Sequence, residues 1–482
     1  LLPAAGAVAA IALDRRARAA KIVGTAFSAA GLAAAAALPV GAGDGPLWHR
    51  FDVAWVDAFH LRFDLGVDGV SYPLIALTAL LTFLCCLHTV VREPECGGGS
   101  RLIVLLLVVD VGILGVFSAV NLVAFFVFFE VVLLPMYAII AGWGGTQRRH
   151  AANKFALYTL LGSLLLLVGV FVVVSGAGTA DIVKLTETGG AGMSSGVQLT
   201  AFCLLAFGFA VKSPLWPLHT WLPDAHTQAP TVGSVILAGV LLKMGTYGLI
   251  RVGVGVAPEG AEQVAPALAV LATAAIVVGG LVCLAQTELK RLIAYSSVGH
   301  MGFVLLGIAT LTPVGINAAL FGNIAHGLIT GLLFFLAGAV KERAGTGELA
   351  NLGGLRNVAP GLAGILGFTA LASLGLPGLA GFWGEAFAVY ASVQRGGTLW
   401  IVLAVVAAAG AALAAAYLLR LLRLTTHGEA SPSVAGIGQT ALRRDEIAIW
   451  APIVVGVVAF GFAPWLLLDS FAGPLLTWAV TP

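Results

Sequence analysis

The chain has 482 residues, of which 59% are hydrophobic and only 10% charged, with a mean hydropathy of +1.01. Soluble domains carry roughly 25% charged residues, so this composition excludes a water-facing globule, as it excludes collagen-like, disordered and small disulfide-rich chains. A net charge of +2 leaves no nucleic-acid footprint, and the five cysteines (Cys85, Cys86, Cys96, Cys203, Cys283) lack any C-x-x-C spacing, so neither a disulfide framework nor a zinc or iron–sulfur site is encoded. The class that remains is an all-α polytopic membrane protein.

A bilayer core of about 30 Å takes about 20 apolar residues per helix. On that rule the chain yields fourteen spans, at 1–13, 22–41, 68–91, 102–119, 121–142, 155–175, 199–218, 231–252, 266–287, 292–311, 314–339, 361–393, 398–424 and 446–471. Span 1 is short and opens without an initiator Met, so the start of the chain is expected to lie upstream. It does not read as a signal peptide, because the basic cluster Arg15, Arg16, Arg18 and Lys21 follows the apolar run instead of preceding it. Cytoplasmic loops gather Lys and Arg. The loops after odd-numbered spans hold 18 of these residues and the opposite loops hold five: Arg50, Arg62, Lys184, Arg251 and Arg395. That split places both termini on the non-cytoplasmic side.

Two spans read as broken. Span 7 runs through Lys212-Ser-Pro214-Leu-Trp-Pro217, and span 12 contains Leu374-Gly-Leu-Pro377-Gly378. Each proline removes a backbone donor and clashes with the preceding turn, and broken helices at membrane depth survive only inside protein or along a watery cavity. Grouping spans 4–8 and 9–13 puts the break in the fourth helix of each group. Five is odd, so the second group enters the membrane from the other side, the inverted-repeat layout of transporters. The expected organisation is therefore helices 1–3 in residues 1–101, a first five-helix repeat in 102–252, a second in 253–424, and a C-terminal helix in 425–482.

An ionisable side chain at mid-bilayer costs about 2.5–3.5 kcal/mol, so such groups mark ion paths or satisfied interhelical contacts. Asp110, Glu130, Lys212, Lys243, His300, His326 and Glu385 all fall near the middles of their spans. Two lysines and two glutamates in so charge-poor a chain favour a proton relay, since burial draws amines and carboxyls toward neutrality. His49, His60, His88, His150 and His427 lie in loops or at span ends and read as solvated. His219 and His226, seven residues apart with Pro223 between them, have poor metal-ligand spacing. No haem, flavin or quinone motif stands out, so the driving force is expected from elsewhere.

The stretch Phe209-Ala-Val-Lys212-Ser-Pro-Leu-Trp-Pro-Leu-His219-Thr-Trp-Leu-Pro-Asp-Ala-His226, followed by Leu241-Leu-Lys243-Met-Gly-Thr-Tyr-Gly-Leu-Ile-Arg251, resembles the antiporter-like subunits of respiratory complex I, subunit M above all. Phe128-Phe-Glu130, Lys290-Arg-Leu-Ile-Ala-Tyr-Ser-Ser-Val-Gly-His300 and Gly384-Glu385 extend the likeness from span 3 onward. The resemblance implies that Glu130 pairs with Lys212, that Lys243 is the central relay lysine, that His219, His300 and His326 line a hydrated mid-membrane axis, and that Glu385 faces the exit. Glu at 385, where subunit L and antiporter D subunits carry Lys, points to subunit M. Lys154 matches a family lysine, whereas Asp110 matches no family role and reads as structural. The resemblance further implies a proton-translocating subunit of NADH:quinone oxidoreductase in the bacterial inner membrane. It places L- and N-type subunits beside the chain and NADH, FMN, iron–sulfur clusters and quinone in other subunits, with no cofactor in this one. A Mrp-type cation/proton antiporter subunit, a hydrogenase-type membrane subunit and a purely structural scaffold are the alternatives.

Overall fold

The computed structural model describes residues 1–40, 47–56, 61–94, 96–437 and 442–471. His60 lies outside the described residues. Every expected span is helical. Twelve helices are long and apolar enough to cross a bilayer, and the short helix Leu2–Ala12 and the split span 12 (Pro360–Ser373 and Gly381–Arg395) complete the fourteen. Helices satisfy all their backbone groups internally, which is what lipid demands.

Spans 8 (Thr231–Val254) and 11 (Pro313–Ala344) are buried along their length, and span 10 (Leu289–Ala309) nearly so. Spans 2 (Ala17–Ala37), 13 (Thr398–Thr426) and 14 (Arg444–Phe462) turn most of their surface outward. Glycine permits the close approach at the centre: a Cβ on Gly245 would lie 2.5 Å from Ser213 Oγ, and one on Gly327 would lie 2.6 Å from the Gly239 carbonyl oxygen. Spans 7 and 11 thus both pack backbone-close against span 8.

Both breaks fall where the prolines stand. Span 7 divides into Ser195–Lys212 and Trp221–Gln228, and Trp221 Nε1 donates to the Val211 carbonyl at 3.0 Å. Span 12 resumes at Gly381 after Gly375 and Gly378, both with left-handed φ, and Trp383 Nε1 donates to the Gly461 carbonyl of span 14 at 2.9 Å. Tryptophans near the two breaks thus take up backbone carbonyls that would otherwise be buried without partners.

Two further interruptions have no counterpart in the sequence reading. Span 5 (Leu122–Trp143) is interrupted at Val132, because Pro135 has no N–H to donate one turn back. Span 8 contains two π-helical turns, Leu237–Leu241 and Leu249–Val254, on either side of the α-helical Leu242–Gly248. A β-hairpin also joins spans 2 and 3, with β1 at Trp48–Val56 and β2 at Leu61–Val67. Arg50 pairs with Asp64 and Arg62 with Asp52 across it, each through two hydrogen bonds of 2.7–3.0 Å.

An internal correspondence joins the two five-helix groups. Asn121 bridges Asp181 and Glu288 bridges Glu348; each pair is separated by 60 residues, and the second pair follows the first by 167. Asn121 and Glu288 also cap spans 5 and 10, accepting from Val123 N and Arg291 N at 2.9 and 2.6 Å. Equivalent loops in spans 4–8 and 9–13 are therefore tied in the same way, on opposite faces by span count.

Candidate functional site

Lys212 ends the first half of span 7, where the negative end of the helix dipole favours a cation. It is buried, with Nζ 4.8 Å above the ring of Phe129. Neighbouring Glu130 is close enough to interact with it electrostatically and lies near Ser163. Among the described residues the two make no direct ion pair, and the ammonium faces the Phe129 ring.

Lys243 sits between the two π-turns of span 8 and is fully buried. Its ammonium donates to the carbonyl of Ala238, inside the first π-turn, and lies 2.7 Å from His326 Nδ1 on span 11. One turn along, Thr246 Oγ1 donates to Asn323 Oδ1 at 2.9 Å, a second rung between the same two spans. The rings of His326 and His300 lie 6.0 Å apart. His300 Nδ1 is 2.6 Å from Glu385 Oε1 on the second half of span 12. Both imidazoles line a small, mainly apolar cavity walled by Phe303, Val304 and Ile329, into which His300, His326, Ser373 and Glu385 bring polar groups, with room for a water. His326 Nε2 is buried at its edge without a protein partner.

The structure therefore brings Lys243, His326, His300 and Glu385 into one file across spans 8, 11, 10 and 12. Glu130 and Lys212 form a second cluster, joined to it where Gly245 of span 8 packs on Ser213. His219 stands apart in the span 7 break, its ring 6.1 Å from Tyr295, with Lys154 as its charged neighbour.

Several further polar groups have no functional role in the sequence reading. Tyr417 and Ser373 approach His300 Nε2 at 3.3 and 3.2 Å. Asp224 accepts from Lys154 at 2.6 Å and from Arg291 at 3.2 Å. His226 is fully buried, stacked on Phe334 with centroids 4.5 Å apart. Arg251 forms a buried ion pair with Asp68 at the end of span 8. Of these, Asp224, His226 and Arg251 carry a signal, since all three lie inside the motifs of spans 7 and 8. Asp110 accepts from Thr82 at 3.0 Å, a local structural contact. His49, His150 and His427 are exposed. His88 is not solvated as its span-end position suggested: it packs on Phe335 of span 11, centroids 5.5 Å apart, because spans 3 and 11 run together there. Among the described residues no three His, Cys, Asp or Glu side chains gather as a metal site would require.

The family described as NADH:quinone oxidoreductase/Mrp antiporter, TM, matches residues 119–410. NADH-quinone oxidoreductase subunit M of Rhodobacter capsulatus is 42% identical over 432 residues, covering 87% of this chain and 82% of its own length. A chain of respiratory complex I from Thermus thermophilus superposes with a TM-score of 0.87 at 30% identity, covering 99% of this chain and 98% of that one. A chain of the Mrp complex from Dietzia superposes with a TM-score of 0.85 at 25% identity, covering 99% and 95%.

Proposed function

This chain belongs to the NADH:quinone oxidoreductase/Mrp antiporter membrane-subunit family, and we propose that within it the chain is an M-type proton-translocating subunit whose relay runs through Glu130, Lys212, Lys243, His326, His300 and Glu385. The observation that carries this reading is the buried file itself. Lys243–His326 and His300–Glu385 are two titratable pairs at 2.7 and 2.6 Å, separated by a cavity that water can bridge. Four ionisable side chains facing one another inside the bilayer would be a costly way to build a scaffold.

His326 takes a proton from Lys243 on Nδ1 and releases one from Nε2 toward the cavity, since an imidazole can be protonated on either nitrogen. His300 passes it from Nδ1 to Glu385, which opens to the exit. Lys212 and Glu130 sit where a change of charge is felt by the span 8 helix through the Gly245–Ser213 contact. His219, in the broken segment beside Lys154, serves proton uptake instead of the central file. The redox step lies elsewhere: NADH, FMN, iron–sulfur clusters and quinone belong to other subunits, and quinone reduction there drives protonation changes here.

The chain works in a bacterial plasma membrane between L- and N-type neighbours, with both termini outside the cytoplasm, as the distribution of Lys and Arg favours. Residues 102–252 and 253–424 act as inverted five-helix units. The matching bridges at Asn121–Asp181 and Glu288–Glu348 support that division. The likeness to a Mrp complex keeps a cation/proton antiporter subunit as the second reading, and Glu385 in place of lysine weighs against it. Proton translocation per NADH oxidised, measured in vesicles with assembly followed on native gels, tests the proposal. Glu385→Gln keeps shape but cannot ionise, and should impair pumping in an assembled complex. A wild-type ratio and turnover in that variant would remove Glu385 from the path.

A further inference from the structure

His300 has different partners on its two ring nitrogens. Nδ1 faces Glu385 at 2.6 Å, while Nε2 lies 3.2 Å from Ser373 Oγ and 3.3 Å from Tyr417 OH. Ser373 closes the first half of span 12, immediately before the break. Tyr417 is buried on span 13, and its hydroxyl also comes near Ser296, one turn before His300 on the same face of span 10. The far side of the imidazole is thus held by hydroxyls from two other helices.

A neutral imidazole has one donor and one acceptor nitrogen, an imidazolium has two donors, and a hydroxyl can do either. With hydroxyls at Nε2, the ring keeps Nδ1 on Glu385 in both states. Before the transfer the neutral ring donates from Nδ1 and accepts at Nε2; protonated, it donates from both; once Nδ1 has given its proton to Glu385, the neutral ring accepts at Nδ1 and donates from Nε2 to a hydroxyl. Without them, half a turn of the ring would present a carbon to Glu385 at no loss of packing. We infer that Ser373 and Tyr417 are positioning residues that hold His300 with Nδ1 toward Glu385 through both of its protonation states. This inference rests on the proposal that His300 and Glu385 carry protons.

The titratable groups facing His300 are Glu385 from span 12, His326 from span 11 and Tyr417 from span 13, with Cys283 of span 9 beside Tyr417. Each remains in every variant below except the one changed, so the profiles are read against wild type. The experiment measures proton translocation per NADH in vesicles holding the whole complex, across about pH 5.5–8.5, where histidine titrates. Ser373→Ala combined with Tyr417→Phe should lower translocation about tenfold or more, the worth of two such hydrogen bonds, and displace the pH profile. Ser373→Thr combined with Tyr417→Phe returns one hydroxyl and should recover most of the loss, which a purely structural defect at Tyr417 would not allow. Wild-type translocation and profile in the Ala/Phe variant, with Glu385→Gln impaired, would overturn the positioning role alone. If Glu385→Gln were also wild-type, the proton path itself would fall. Should the Ala/Phe variant fail to assemble, Tyr417→Phe alone decides: reduced translocation supports the role, and wild-type values at every pH overturn it.

Discussion

Replacing His326 by leucine removes the one side-chain partner that the structure gives Lys243. The ammonium is fully buried, and its remaining contact is the carbonyl of Ala238 on its own helix. A hydrogen bond to a charged group contributes about 1.5–3 kcal/mol, and each 1.36 kcal/mol is tenfold in rate, so proton passage should fall about ten- to a hundredfold. His326→Gln separates two explanations. It restores a polar partner and steadies Lys243, but its amide cannot carry a proton onward from one side of the ring to the other. Both variants should therefore lose pumping, while His326→Gln keeps the better thermal stability. The assay is acidification of inverted vesicles per NADH oxidised, with assembly checked on native gels. A wild-type proton-to-electron ratio in assembled His326→Leu would refute the relay through this histidine, because no other side chain reaches Lys243 Nζ among the described residues.

At the other cluster, Glu130→Ala should cut pumping sharply and Glu130→Asp should retain part of it, since the electrostatic support of Lys212 is bounded by about 4 kcal/mol at an effective dielectric near 20; initial rates of acidification read this directly. Glu446 is buried among Arg92, Arg343 and the backbone N–H of Arg443, tying spans 3, 11 and 14 together at one face. Its replacement by alanine should destabilise the subunit by about 3–5 kcal/mol, because the arginines lose a buried partner; thermal melts in detergent should fall while the proton ratio of surviving complexes stays unchanged. On the hairpin, the hydrogen bonds from Arg62 hold the Asp52 carboxyl below its ordinary value. That contribution is present above the ordinary aspartate range and is lost as pH falls through the lowered value, so the hydrogen-exchange protection factors along Trp48–Val56, taken relative to intrinsic exchange at each pH, should fall in acid and fall less in Asp52→Asn.

The spans were legible because each must supply about 20 apolar residues, and the broken ones because proline announces the lost donor. The stations Lys212, Lys243, His300, His326 and Glu385 were legible for a related reason: charge inside a bilayer is rare enough to stand out. Their pairing was not. Lys243 and His326 are 83 residues apart, and nothing in either helix says which neighbour it faces. Tyr417 and Ser373 left no trace because uncharged polar residues are common in membrane helices. The π-turns of span 8 change only which carbonyl each N–H reaches, so they leave no compositional mark. The hairpin hid for a different reason. Its Arg-Phe-Asp triplets at 50–52 and 62–64 are a repeated strand pattern, but they sit in a stretch too polar for a span, which hydropathy alone assigns to a loop.

Every charged station of the relay stands beside a place where the helix backbone is interrupted. Lys212 occupies the carboxyl end of a half-helix, and Glu130 lies just before the interruption at Val132. Lys243 takes the Ala238 carbonyl of a π-turn, and Glu385 follows the span 12 break by one turn of helix. In a membrane interior, water cannot stabilise a charge that appears and disappears, so the protein must supply the compensating dipoles itself. An uninterrupted helix has none to spare, because every carbonyl and N–H in it is already paired. The breaks free them where charge has to come and go. The intact spans 10 and 11 carry the two histidines, whose rings can pass a proton from one nitrogen to the other and so need less compensation from the backbone. This division of labour explains why mutations that heal a break, such as Pro377→Ala, should harm pumping even though they touch no titratable group.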